Sequence, residues 1–160
     1  MVYYEPLDPA RNEIRLLVLL PGKAVDDLIC TLRKVSLDSF SDFDALSYVW
    51  GDVSTKLPIK VNGEAFLITA NLETALRALR KPRKRRSIWV DALCINQEDV
   101  DEKNIQVPQM GRLYSTARSV VAWLGLPNPN IELAISWMQT YVAKTLKSSS
   151  AYWLKLNAKD

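Results

Sequence analysis

Residues 87–125 read SIWVDALCINQEDVDEKNIQVPQMGRLYSTARSVVAWLG, and no other stretch limits the fold as tightly. Ile88–Asp91 has the pattern of a buried strand, an acidic polar loop follows, then a helical segment, then a second apolar strand over Val120–Leu124. A strand–helix–strand unit of this length builds a parallel sheet. Ligands of such sheets sit beyond the carboxyl ends of the strands. The first strand ends at Asp91 and opens into Cys94-Ile95-Asn96-Gln97-Glu98-Asp99, so this loop is where chemistry is expected.

The rest of the chain fits around that unit. Ile14–Leu20 reads as a buried apolar strand closed by Pro21-Gly22, and Ile29–Ser36 as a second strand antiparallel to it. Ala45–Trp50 is a strand turned by Gly51-Asp52. Pro58–Val61 and Ala65–Thr69 flank Asn62-Gly63, a type I′ hairpin signal. Asn71 suits a helix N-cap, with Leu72, Ala75, Leu76 and Leu79 at helical spacing. Pro108 must break the segment Val100–Arg118 into a short turn and a helix that holds the proline in its first turn. Pro127–Asn130 reads as a rigid loop ending in a cap. A helix over Ile131–Val142 should turn Leu133, Ile135, Trp137, Met138 and Tyr141 inward, and Ser148–Ser150 reads as a linker. The order is an α/β sheet with antiparallel additions.

Composition removes several kinds of chemistry. The chain has no histidine, which excludes Ser-His-Asp triads, Cys-His dyads and His-based zinc sites within it. Cys30 and Cys94 are too few for a disulfide framework and favour a reducing cytosol. No apolar run approaches the ~18–20 residues of a membrane span. Neither G-x-x-x-x-G-K nor G-x-G-x-x-G occurs, so a dinucleotide would not bind by a P-loop or Rossmann route. Two cysteines and scattered carboxylates offer no metal site. The run Arg80-Lys81-Pro82-Arg83-Lys84-Arg85-Arg86 can be read as a nucleic-acid or acidic-membrane patch. The absence of interleaved aromatic residues favours a solvated helix C-terminus ended by Pro82.

Three blocks carry a family resemblance. Trp89–Gln97 with Glu102, Gln106, Val107, Met110, Tyr114, Ala117 and Trp123-Leu124-Gly125 resembles the core signature of the heterokaryon-incompatibility (HET) domain. Ala45–Asp52 resembles its other hallmark block, and Asn71-Leu72 with Ala75-Leu76-Arg77 falls where its intervening helix belongs. The resemblance runs from about Tyr4 to Leu133. It implies a fungal effector of programmed cell death, and a flavodoxin/TIR-like, mainly parallel sheet flanked by helices. The β-rich start would be an addition and the hairpin an insertion. On this reading residues 1–145 form the domain, 146–160 begin a linker or a following region, and the chain is the N-terminal piece of a longer protein.

Many TIR relatives cleave NAD, so the resemblance makes NAD an expected substrate rather than a resident cofactor. Cleavage passes through an oxocarbenium-like state that a carboxylate can stabilise, and nicotinamide leaves neutral without needing an acid. By order of elements the TIR glutamate falls at Glu132, although the tryptophan-cysteine that precedes it in TIR domains is absent. Asp91 and Glu102 are the other catalytic candidates. Each has a plain structural role as well: Glu132 offsetting a helix dipole, Asp91 bonding the amides of Cys94–Gln97, and Glu102 pairing with Arg112 or Lys103 or bridging Tyr114. Lys103 stands where the family usually has arginine, which weakens any bidentate role there. Tyr48, Trp50, Gly51, Asp52, Asn96 and Gln97 are the expected NAD-contacting residues, with Trp50 stacking on a base; Trp89, Trp123 and Cys94 are expected to be packing. The alternative is a non-catalytic module that signals by self-association, with further domains or partner proteins of an incompatibility system.

Overall fold

A computed structural model describes residues 4–126 and 129–145, and the expected linker at Ser148–Ser150 lies outside them, as do Pro127 and Asn128 of the rigid loop. The sheet unit runs to Trp123, and a second unit begins at Leu124. Seven strands form one mixed sheet: β1 Glu13–Leu19, β2 Ile29–Ser36, β3 Asp44–Tyr48, β4 Lys56–Val61, β5 Glu64–Thr69, β6 Arg86–Trp89 and β7 Ser119–Trp123, in the order β5-β4-β2-β1-β6-β3-β7. β1 is antiparallel to both neighbours and β5 to β4, while the remaining five strands run one way. The α/β class and the β1–β2 antiparallel pair are as expected.

The helices follow from local signals. α1, Ala70–Leu79, buries Leu72, Ala75, Leu76 and Leu79. Its N-cap is Thr69, whose hydroxyl accepts from the Leu72 amide at 3.4 Å, and not Asn71 as expected. α2, Asp91–Cys94, is a single turn, so Asp91 opens a helix instead of closing the strand. α3, Val100–Gln106, has Asp99 as its cap and passes through a 3-10 turn, Val107–Gln109, into α4, Met110–Thr116. The proline enforces that break, since it cannot donate to the helical ladder. Trp89 and Tyr114 meet edge to face at 5.8 Å, docking α4 on β6.

Two features of the sheet go beyond what local pattern sets. Val90 follows β6 and Val121 lies in β7; these strands are parallel in one sheet but not adjacent, because β3 lies between them. The reason is Asp44, a buried carboxylate at the amino end of β3. Arg86 Nε donates to its Oδ2 at 2.6 Å; Ser119 Oγ at 2.7 Å and Arg118 Nη2 at 2.8 Å donate to Oδ1. One side chain thus ties the starts of three strands. The Asn62–Gly63 hairpin does have both residues at positive φ, 52° and 84°, as its turn type requires. It does not protrude: β4 pairs with the free edge of β2, and the Asn62 side-chain oxygen accepts from the Leu32 amide at 2.9 Å.

The basic run is also less uniform than expected. Arg80 is buried, with its guanidinium donating to the carbonyls of Asp27 at 2.8 Å, Asp26 at 3.0 Å and Lys23. Arg86 belongs to the Asp44 cluster. In the second unit, α5 spans Pro129–Thr145 and includes Asn130, which therefore is not its cap. Leu133, Trp137, Met138 and Tyr141, expected inward, are exposed, Trp137 to 72%. No described helix is long and apolar enough to cross a membrane.

Asp44 links this architecture to pH. Burial pushes its pKa up, but the hydrogen bonds from Ser119, Arg86 and Arg118 outweigh that and hold it below the ordinary carboxylate value. Its stabilisation is therefore present above the unfolded-state value near ~3.9 and is lost as pH falls through the lower folded value. Asp44→Asn should cost about 1.5–3 kcal/mol at neutral pH, because it removes the charged acceptor shared by half-buried Arg86 and by Arg118 and Ser119. The difference between wild type and variant should shrink below about pH 4, as read by urea unfolding at several pH values.

Candidate functional site at the carboxyl rim

The parallel strands β6, β3 and β7 stand in the chain order second, first, third, the order with which flavodoxin-like doubly wound sheets begin. In such sheets the crevice opens beyond the carboxyl ends, beside the first strand. Here that rim collects the end of β3 with Trp50 and Gly51, the start of α2 with Asp91, the first turn of α1 with Asn71, and Trp123 at the end of β7.

Two indoles are oriented there by hydrogen bonds. Trp50 Nε1 donates to Asp91 Oδ2 at 3.1 Å, and the Ala92 amide donates to Oδ1 at 2.8 Å. Trp123 Nε1 donates to Asn71 Oδ1 at 3.0 Å, while Asn71 Nδ2 donates to the Val49 carbonyl at 2.5 Å. Gly51 has φ +72°, and a Cβ there would lie 3.4 Å from that of Asn71, so the turn passes close over the start of α1. Trp50 remains 40% exposed, presenting an aromatic surface beside a half-buried carboxylate. Burial, reinforced by the Asp91 charge, raises the pKa of Tyr48 and of Tyr114, so both phenols stay neutral.

The structure distributes the expected residues of the sheet unit over three places. Asp91, Trp50, Gly51 and Tyr48 belong to the rim just described. Asp52 is engaged within its own loop: its carboxylate accepts from the Ser54 amide at 2.8 Å and from the hydroxyls of Ser54 and Thr55, which also lower its pKa. Glu132 is exposed in the first turn of α5, in the second unit. Asn71 was read as a cap and Trp123 as packing. The residues themselves were visible, but only the tertiary arrangement shows that each completes the other's hydrogen bonding.

Glu102, Asn96 and Gln97 form the third place, a lock behind the loop. Arg15, inside β1 and only 2% exposed, grips Glu102 through two bonds of 2.5 and 2.9 Å. Glu102 Oε1 also accepts the Asn96 amide at 2.8 Å. The expected partners are engaged elsewhere: Arg112 with Asp38, Lys103 with the Gln97 carbonyl at 3.0 Å, and Tyr114 with the Leu46 carbonyl. Gln97 Nε2 donates to the Asp91 carbonyl at 2.9 Å. Thus Glu102 holds the Asn96 amide, while the Asp91 carboxylate accepts from Ala92 rather than from Cys94–Gln97, and only its backbone carbonyl meets the Ile95 amide, at 3.1 Å. Arg15 was overlooked because it sits in an apolar run. Cys94 is fully buried and its thiol is pushed up to about 12 by that burial, which makes it inert. A cleft of about 190 Å³ beside the lock, lined by Pro6, Leu7, Ile105 and acidic residues, is below the usual size of a small-molecule site. No group of three or more Cys, Asp or Glu among the described residues is arranged to hold a metal ion.

Breaking the lock should be costly. Arg15→Met leaves a buried carboxylate without its cation, and urea unfolding should report a loss of about 3–5 kcal/mol. The double variant Arg15→Met/Glu102→Leu should recover much of that loss, since no charge is then left unpaired.

Comparison with known proteins agrees with these blocks. Residues 43–158 match the family model of the heterokaryon incompatibility protein (HET). Over 132 residues, 74% of this chain, the sequence is 41% identical to heterokaryon incompatibility protein 6, OR allele, of Neurospora crassa. The chain spans only 19% of that relative's length. No solved structure matches. With more than two thirds of its length matched by the family model, the chain belongs to the heterokaryon-incompatibility (HET) family.

Proposed function

We propose that this domain acts in the cytoplasm as an effector of fungal heterokaryon incompatibility, triggering programmed cell death by TIR-like cleavage of NAD at the carboxyl rim. The observation that carries the chemistry is the Trp50–Asp91 pair, an exposed indole held at 3.1 Å from a carboxylate at the carboxyl rim of the parallel strands, where α/β sheets bind their ligands. The indole offers a face for nicotinamide or adenine. In the proposed step the bond from ribose C1′ to nicotinamide breaks with its electron pair passing to the ring nitrogen. The oxocarbenium ion left behind is stabilised by the Asp91 carboxylate. Water then adds to C1′ and releases a proton, giving ADP-ribose and neutral nicotinamide. Tyr48 and Gly51 would flank the substrate, while Asp52, Asn96 and Gln97 shape the two loops that frame it.

Glu132 is the residue that the TIR resemblance assigns to this role, and it is tested alongside. Asp91→Asn removes the charge and leaves one acceptor oxygen for the two donors, Trp50 and the Ala92 amide, so melting temperature is read beside activity; nicotinamide release should fall about 10²–10³-fold. Glu132→Gln should leave both rate and melting temperature close to wild type, because a first-turn carboxylate contributes only ~0.3–1 kcal/mol. Full activity in Asp91→Asn with loss in Glu132→Gln would return the role to Glu132. Assays belong at high protein concentration, where self-association is favoured.

A second reading, signalling by self-assembly without catalysis, is supported by the exposed Leu133, Trp137 and Met138 on α5. Absence of nicotinamide release from a domain that still kills cells would establish that reading over the first.

A further inference from the structure

The anchoring of Arg80 and Arg86 changes the meaning of the basic run. Both ends of the loop are pinned, one by backbone carbonyls of the Pro21–Asp27 loop and the other by Asp44. Between them Lys81, Arg83, Lys84 and Arg85 are exposed, and none is in an ion pair among the described residues. Pro82 stiffens the loop further. Four cations are thus displayed from a fixed frame, without the ordering cost of a free tail.

The neighbouring loop supplies what a purely electrostatic patch lacks. The Gly22 amide donates to the Lys81 carbonyl at 3.3 Å, and Arg77 and Arg80 hold the carbonyls of Lys23, Ala24, Asp26 and Asp27. On that clamped loop Val25 is 88% exposed. The two carboxylates there are partly engaged, Asp26 with the Lys23 amide at 2.7 Å and Asp27 with Lys60 at 3.2 Å.

We propose that the loop 81–85, with Val25 on the loop clamped beside it, docks the domain peripherally on an anionic lipid surface. A basic cluster of this size suits phosphatidylserine-type headgroups, each cation strengthening partitioning by roughly fivefold. An exposed apolar side chain among cations fits the headgroup boundary. Neither loop carries an aromatic residue on which a base would stack, nor an asparagine or glutamine to read one, so nucleic acid is the weaker fit. β6 leads away from this loop toward Asp91, so docking here leaves the carboxyl rim open. The inference does not depend on NAD cleavage.

The test is co-sedimentation of the full chain with phosphatidylcholine vesicles, with and without phosphatidylserine. The chain should bind only the anionic vesicles, less so as salt rises. Replacing Lys81, Arg83, Lys84 and Arg85 together by Ser should weaken binding several-hundred-fold, four such factors combined. Val25→Ser should weaken it measurably at high salt. A control variant with Arg11, Arg33, Lys34 and Lys56 changed to Ser loses the same net charge and should bind nearly as wild type. Melting temperatures confirm that each variant is folded. No binding to anionic vesicles, equal loss in the control variant, or tighter binding to an oligonucleotide through the same four cations would each overturn the proposal.

Discussion

One carboxylate organises the parallel part of this sheet. Asp44 is removed from water at the start of β3, where an unpaired charge would be untenable, and its stability there requires Arg86 from one neighbouring strand and Arg118 and Ser119 from the other. The same contacts fix register: Asp44 faces Ile88 on one side and Ser119 on the other. A slip of one residue would bury the carboxylate away from its cations. Everything at the opposite rim inherits this alignment, since the ends of the three strands can converge only if their beginnings are level.

A second buried charge does comparable work for the loop behind the site. Arg15 crosses from β1 to hold Glu102, and through it the Asn96 amide, while Gln97 reaches back to the Asp91 carbonyl. The acidic loop is thereby a fixed part of the wall rather than a mobile cover. Replacing such a pair by apolar residues is often tolerated energetically, so its contribution here is best understood as orientation.

The strands, the hairpin and the break at Pro108 were legible because each rests on local chemistry: apolar periodicity, the left-handed preference of Asn-Gly, the missing amide of proline. The strand order was not, because it depends on Asp44 meeting partners far along the chain. The site was legible in part for the same reason. Trp50 and Asp91 announce themselves beside turns at strand ends, but their hydrogen bond joins residues 41 apart. Asn71 fits the simpler local rule of capping, which the fold overrides; Trp123 does pack, partly buried, against the core, and its bond to Asn71 comes in addition. Arg15 hides within an apolar strand because periodicity weighs faces, not single buried ions.

The separation between Asp44 and its last partner has a consequence for how the molecule comes into being. Ser119 lies 75 residues downstream, so β3 waits through the hairpin, α1 and β6 before its outer edge is paired. The β1–β2 ladder can close once Ser36 is made and the β4–β5 ladder as soon as its own turn is made, whereas the β3–β7 ladder carries a large loop-closure cost and forms late. On the ribosome, at about 5–20 residues per second, that interval lasts seconds. Throughout it the nascent chain presents an unpaired outer edge on β3, and Asp44 has Arg86 alone as its cation once β6 is made; a chain halted before Arg118 would be left in that state, exposed to chaperones and proteases or to aggregation.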